Sequence, residues 1–249
     1  MAIWKRIRKA LKHPTRMRVC DEHDEALRDF VRSLPMLFRT GQGQLLYKKR
    51  NELRSFVCQN REVVVKAFAK PNLLNRLIYG FLRKSKAQRS YEYALRLKRV
   101  GIDSPQPVAW LTERNGLLFT RSYYVSLKST CPYTYDDIQL GKIQPQSEEE
   151  RYLRLVARMA ARLHGAGMLH RDFSQGNILF GDGDRVELID LNRIRFLSVD
   201  MELGCQNISE RLLANRRQRR ILADTYAQER GFDKDACFDL LTRYNGIKD

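Results

Sequence analysis

The stretch Leu169-His170-Arg171-Asp172-Phe173-Ser174-Gln175-Gly176-Asn177, with Asp190 further on, constrains this chain more than any other part of it. Two short apolar runs, Ile178-Leu179-Phe180 and Val186-Glu187-Leu188-Ile189, flank the turn Gly181-Asp182-Gly183-Asp184. That composition is a short hairpin. Asp172 and Asn177 then lie on the loop entering it, and Asp190 on the loop leaving it. Phosphoryl transfer from ATP needs such a trio. One acid accepts or orients the acceptor hydroxyl, while an Asn and a second Asp hold Mg²⁺ against the phosphates.

The chain of 249 residues can bury a sizeable core in one two-lobed domain or two small ones. No apolar run approaches the ~20 residues of a membrane span, and no apolar stretch follows the first basic residues, so no secretory signal is expected. Cys20, Cys58, Cys131, Cys205 and Cys237 form no CxxC pair, which points to reduced thiols in a cytosol and to no structural zinc. The net charge of +17 implies a polyanionic partner: nucleic acid, an anionic membrane surface or a phosphorylated substrate.

Residues 1–18 form a basic segment. Ile3, Trp4, Ile7 and Leu11 share one helical face among Lys5, Arg6, Arg8, Lys9 and Lys12, the composition of a helix at an anionic interface or of a docking helix, with Pro14 ending it. Strands are expected at 44–48, 52–58 and 62–68, and a long helix over 72–100, closed by Gly101. A second hairpin is expected over 108–126 around Asn115-Gly116. Residues 128–147 read as a connection. Ser147 and Glu150 read as a capping box opening a helix over 148–164, and the chain beyond Phe196 reads as mostly helical.

This order, antiparallel strands with a helix and then a mainly helical half, is similar to the layout of a protein-kinase-like fold: α+β, with an N-lobe at 19–127 and a C-lobe at 128–249. The layout asks for a lysine on the third of these strands and a glutamate on the following helix. Lys66 stands inside the apolar strand VVVKAF, where a lysine is costly unless paired or functional. Glu92 is the only carboxylate in a basic span, so it is the expected partner of Lys66; a surface pairing with Arg96 or Arg89 is the alternative. There is no full GxGxxG. Taking Gly41-Gln42-Gly43 as the nucleotide loop would make the next strand too long, so the turn Lys49-Arg50-Asn51 is preferred, with a solvated hairpin tip as the other reading. Asp190-Leu191-Asn192 replaces Asp-Phe-Gly, and no Ala-Pro-Glu follows. Both features argue against a phosphorylation-switched protein kinase.

The segments VVVKAFAKPNLLNRLIYGFLRKSKAQRSYEYALRL, GIDSPQPVAW and LHRDFSQGNILF…ELIDLNRIRF resemble the bacterial lipopolysaccharide kinases over roughly residues 40–200, especially the branch that phosphorylates Kdo, the inner-core octulosonic acid. The resemblance implies an ATP- and Mg²⁺-dependent phosphotransferase in the cytoplasm, peripheral to the inner membrane of a Gram-negative bacterium. Its acceptor would be a hydroxyl of the anionic glycolipid Kdo-lipid A, with no nucleic acid. It also implies Lys66 and Glu92 for ATP, Asp172 as catalytic acid, and Asn177 and Asp190 for metal. Arg76, Arg83, Lys84, Lys86 and Arg89 are candidates for acceptor or lipid phosphates, or a solvated helix face. Two alternatives stand beside this reading: an atypical Ser/Thr kinase acting on a ribonucleoprotein, and a pseudokinase that binds anionic lipid.

Overall fold

A computed structural model of the protein describes residues 15–69, 84–115 and 118–245. Residues 1–14, and with them the basic amphipathic helix expected there, lie outside the described residues, as do Arg76, Arg83 and Gly116. Two compact units emerge. Described residues up to Leu95, together with Pro105–Ser129, form the first; Arg96–Ser104 and those from Thr130 onward form the second.

The first unit is a six-stranded antiparallel sheet. Its strands are β1 (Thr15–Val19), β2 (Gln44–Lys48), β3 (Glu52–Cys58), β4 (Arg61–Phe68), β5 (Pro107–Asn115) and β6 (Leu118–Leu127), in the spatial order β1-β5-β6-β4-β3-β2. The expected hairpins are present at their expected positions. Strand β1 and helix α1 (Glu25–Arg39) are additions to the sequence reading. Helix α1 begins at Asp24, whose carboxylate accepts from the Leu27 amide at 2.8 Å. Its buried residues Leu27, Val31, Leu34 and Phe38 recur at helical spacing and close a core over Val63, Val65, Ala67, Ala109, Leu111 and Val125. Strand alternation then sends Val64, Lys66 and Phe68 of β4 to the other face of the sheet.

The Gly41-Gln42-Gly43 segment connects α1 to β2. Both glycines have positive φ (73° and 81°), and a Cβ at Gly43 would overlap the Phe56 ring. The buried Arg54 guanidinium donates to the carbonyls of Gly41 (2.6 Å), Gln42 (3.1 Å) and Gly43 (3.1 Å), and to the Glu52 carboxylate (2.6 Å). The segment is thus a clamped connection. Helix α2 (Lys86–Arg99) starts later than the helix expected over 72–100: Lys84 and Ser85 are described and not helical, and Ser85 Oγ accepts the Gln88 amide at 3.0 Å, while Gly101 follows the helix at φ 70°.

The second unit is mainly helical: α4 (Gln146–Gly165), α5 (Met201–Leu212), α6 (Arg216–Arg230) and α7 (Lys234–Arg243). Two readings are corrected here. The stretch 128–147 contains β7 (Tyr133–Thr134) and the short helix α3 (Tyr135–Gln139), whose Asp137 carboxylate accepts from the Thr134 amide (2.8 Å) and hydroxyl (3.1 Å). Helix α4 starts at Gln146, capped at Pro145 without a side-chain bond, so Ser147 lies inside the first turn and not at a capping box. A proline's preset φ begins the helix earlier than the hydroxyl signal suggested. Short strands β8 (Met168–His170), β9 (Ile178–Phe180), β10 (Val186–Leu188) and β11 (Ile194–Phe196) supply the frame of the loops.

Candidate active site

Strand β8 is fully buried, and the chain leaves it at His170. Strand β11 pairs back onto β8 with Ile194 opposite His170, while β9 and β10 form the expected hairpin with Leu188 opposite Ile178. These two pairings bring the loop after β8 and the loop after β10 together. His170 joins them. Its Nδ1 accepts the Asp172 amide at 3.2 Å, so its Nε2 carries the proton and donates to the carbonyls of Ile189 and Asp190, each at 3.2 Å. The ring is wholly buried, and desolvation lowers its pKa, keeping it in this neutral form.

Asn177 ends a tight turn over Gln175–Asn177. Its Nδ2 donates to the Asp172 carbonyl (2.9 Å) and to Ser174 Oγ (3.0 Å). Its Oδ1 is the end left for another partner. The Ile189 amide donates to the Asn177 carbonyl at 3.0 Å, which fixes the spacing of the two loops. Asp190 adopts φ 56°, ψ 43°, an unusual left-handed backbone for a residue other than glycine, and the type of strain found at functional sites. Asn192 stands where the Asp-Phe-Gly pattern has glycine. It is buried, and its Nδ2 holds Asp190 Oδ1 at 2.5 Å. A carboxamide oxygen and a carboxylate are hard donors of the sort Mg²⁺ takes, with phosphates and water completing its shell. The residues present therefore fit the metal.

Asp172 is paired twice: Oδ2 with Arg193 at 2.7 Å and Oδ1 with Arg211 at 3.2 Å. Neither arginine was read as functional from the sequence. Arg193 sits inside the LNRIRF stretch without any spacing signal, and Arg211 is one of many arginines in a basic helical region. A buried relay also lies behind the catalytic loop, with no spacing signal in the sequence. Tyr226 Oη lies 3.0 Å from His164 Nδ1, His164 Nε2 lies 3.1 Å from Asn207 Oδ1, and Asn207 Nδ2 donates to the His170 carbonyl at 3.0 Å.

In the first unit, Lys66 is half-buried on β4, with its Nζ 5.5 Å from the centroid of the Phe68 ring; Lys86 Nζ lies 6.0 Å from the same ring. Glu92 does not pair with Lys66 here. It takes Lys84 at 2.6 Å and Gln88 Nε2 at 3.0 Å, because Lys84 lies two residues before the start of α2 and reaches its second turn. That corrects the expected pair, and it makes Lys84 an ion-pair partner as well as a candidate for acceptor phosphates. Arg89 lies one turn into the same helix and is half-buried. Lys49 and Arg50 are exposed at the β2–β3 tip. Asn51 accepts the Ala69 amide at 3.2 Å, a contact that ties the tip to the end of β4.

The sequence pattern of the lipopolysaccharide kinase (Kdo/WaaP) family matches residues 47–200, well over half of the chain. The chain belongs to this family. It is 25% identical over 140 residues to the 3-deoxy-D-manno-octulosonic acid kinase of Vibrio cholerae serotype O1, covering 54% of this chain and 57% of that protein. It is 26% identical over 121 residues to the protein of the same name from Vibrio parahaemolyticus serotype O3:K6, covering 49% and 48%. The chain thus spans about half the length of the curated relatives it matches. A solved structure of WaaP in complex with acyl carrier protein superposes at a TM-score of 0.60 and 16% identity, covering 92% of this chain and 97% of that one. It shares the kinase-like α+β fold of this member of the Kdo/WaaP family.

Proposed function

We propose that the protein is an ATP-dependent kinase that phosphorylates a hydroxyl of the Kdo sugar of an anionic inner-core glycolipid. The assembly of Asp172, Asn177 and Asp190 around the buried His170 carries the reading. Membership of the Kdo/WaaP family and the names of the two Vibrio relatives support the sugar.

In this scheme Asp172 accepts the proton of the acceptor hydroxyl as its oxygen bonds to the γ-phosphorus and the bond to the β-phosphate oxygen breaks, releasing ADP. Asn177 Oδ1 and the Asp190 carboxylate would hold Mg²⁺, which neutralises charge developing on the phosphates. His170 keeps Asp172 and Asp190 in register. Lys66 serves the α/β-phosphates, and Glu92 and the 49–51 tip are candidates for the nucleotide.

Purified protein, labelled ATP and Kdo-lipid A test this directly. Wild type should label the glycolipid, and Asp172→Asn should lose about 10²–10⁴-fold in rate while still binding ATP. Absence of transfer by wild type, or undiminished turnover by the variant, would refute the reading.

A further inference from the structure

The carboxylate assigned to the acceptor's proton is not open. One guanidinium sits on each of its oxygens, from Arg193 on the turn after Asp190 and from Arg211 in the last turn of α5. The Asp172 side chain is 19% exposed, whereas both arginine side chains are 52% exposed. A guanidinium has five N–H donors in a rigid fork, and each arginine turns one nitrogen, NH1, towards Asp172. More than half of each side chain therefore faces solvent, with donors beside the one carboxylate that must meet the acceptor.

The placement of Arg211 is built. Gln175 of the catalytic loop donates to the Leu212 carbonyl at 3.0 Å. Leu213 adopts φ 49°, ψ 45°, a backbone that a branched apolar residue seldom takes, and the chain turns there. Asn207, one helical turn before Arg211, bonds the His170 carbonyl at 3.0 Å. Helix α5 is thus pinned to the catalytic loop on both sides of Arg211. The 3₁₀ turn Leu191–Arg193, followed by β11 pairing with β8, holds Arg193 in the same way.

We propose that Arg193 and Arg211 are the acceptor-recognition pair: they take the carboxylate of an acidic sugar and thereby set its hydroxyl against Asp172. This deepens the kinase reading above and rests on it. A planar carboxylate matches a guanidinium fork, and charge-assisted bonds of this type are the strong ones. In the free protein the arginines hold Asp172. When an acidic acceptor engages them, the same two groups aim the hydroxyl at the carboxylate between them. A neutral acceptor leaves both cations on Asp172 and meets a carboxylate that already holds a guanidinium donor on each oxygen. The pair therefore selects for acid and orients it with one set of contacts.

The test compares transfer to the acidic glycolipid with transfer to its carboxyl methyl ester, in the full chain with saturating ATP. Wild type should prefer the acid by about 10–100-fold in kcat/KM. Arg193→Gln and Arg211→Gln should each bring that ratio towards one, with most of the change in KM for the acid, and Arg211→Lys should keep part of it. The ratio is measured within one preparation, so a partly unfolded variant does not imitate its loss. Variants that keep the wild-type ratio, or a wild type that phosphorylates acid and ester equally, overturn the arginine assignment and leave the kinase reading standing. A wild type that phosphorylates neither overturns both.

Discussion

His164 has no room for a charge. Asn207 gives its amide nitrogen to the His170 carbonyl, so its oxygen must accept from His164 Nε2, and Nδ1 must accept the Tyr226 hydroxyl. A protonated ring would have to reverse the Tyr226 bond, with Nδ1 donating to the hydroxyl, and would place a charge among buried groups. Burial lowers the His164 pKa from 6.5 to about 4. Below pH 6.5 the unfolded chain binds a proton that the folded chain refuses. The stability supplied by the neutral ring is therefore complete above about pH 6.5 and is lost as pH falls towards 4, by up to about 3 kcal/mol. Urea midpoints should fall between pH 7 and pH 4.5 in wild type. They should fall by less in His164→Gln, which starts lower at pH 7; an equal fall would show that the titration lies elsewhere. Gly204 belongs to the same packing, since a Cβ there would overlap the Tyr226 hydroxyl. A sequence does not announce such a relay. Four residues on three helices and a strand end meet only through tertiary packing, whereas Asp172, Asn177 and Asp190 flank one hairpin and betray themselves by spacing.

The same distinction holds for elements. Hairpins were legible because their signals are local: the polar turn Lys49-Arg50-Asn51 before β3 and the apolar run VVVKAF of β4, Asn115-Gly116 between β5 and β6, and Gly-Asp repeats between β9 and β10. Helix α1 had a comparable signal in Asp24 and the Leu27, Val31, Leu34, Phe38 spacing, but Pro35 stands inside it. The start of α4 was misread because a serine and a glutamate at capping distance also occur within a first turn. The Gly41-Gln42-Gly43 connection shows how tertiary contacts decide the meaning of a motif. Its carbonyls are held by Arg54, and Arg54 is held by Glu52, with side chains only 10% and 9% exposed. Arg54→Met removes the cation and leaves the Glu52 carboxylate buried without it, so it should destabilise by about 3–5 kcal/mol. Replacing both, Arg54→Met with Glu52→Gln, removes the stranded charge and should recover part of that loss. Denaturation of the two variants side by side checks the order; a double variant no more stable than Arg54→Met would show that the bare loop carbonyls, common to both, and not the stranded carboxylate carry the loss.

At the scale of the whole molecule the dominant fact is charge. A chain with 46 Lys and Arg against 29 Asp and Glu carries +17, and no helix among the described residues is long and apolar enough to cross a membrane. If the acceptor is an anionic lipid, attraction to head groups is a force the composition supplies. Each cation near an anionic surface contributes about 1 kcal/mol, and screening shortens that reach from about 8 Å at 0.15 M salt to about 3 Å at 1 M. Residues 1–13 carry Trp4, Ile7 and Leu11 beside the cations Lys5, Arg6, Arg8, Lys9 and Lys12, the composition expected of a helix at an anionic interface or of a docking helix. The protein should therefore co-sediment with vesicles containing anionic lipid at low salt, release as salt approaches about 1 M, and ignore purely zwitterionic vesicles. Deleting residues 1–13 should weaken binding at low salt without abolishing it, because most of the positive charge lies beyond that segment. Truncated and full-length proteins that sediment equally would assign the attraction to the rest of the basic surface. Binding that persists at high salt would mean that apolar insertion, and not charge, holds the protein to the membrane.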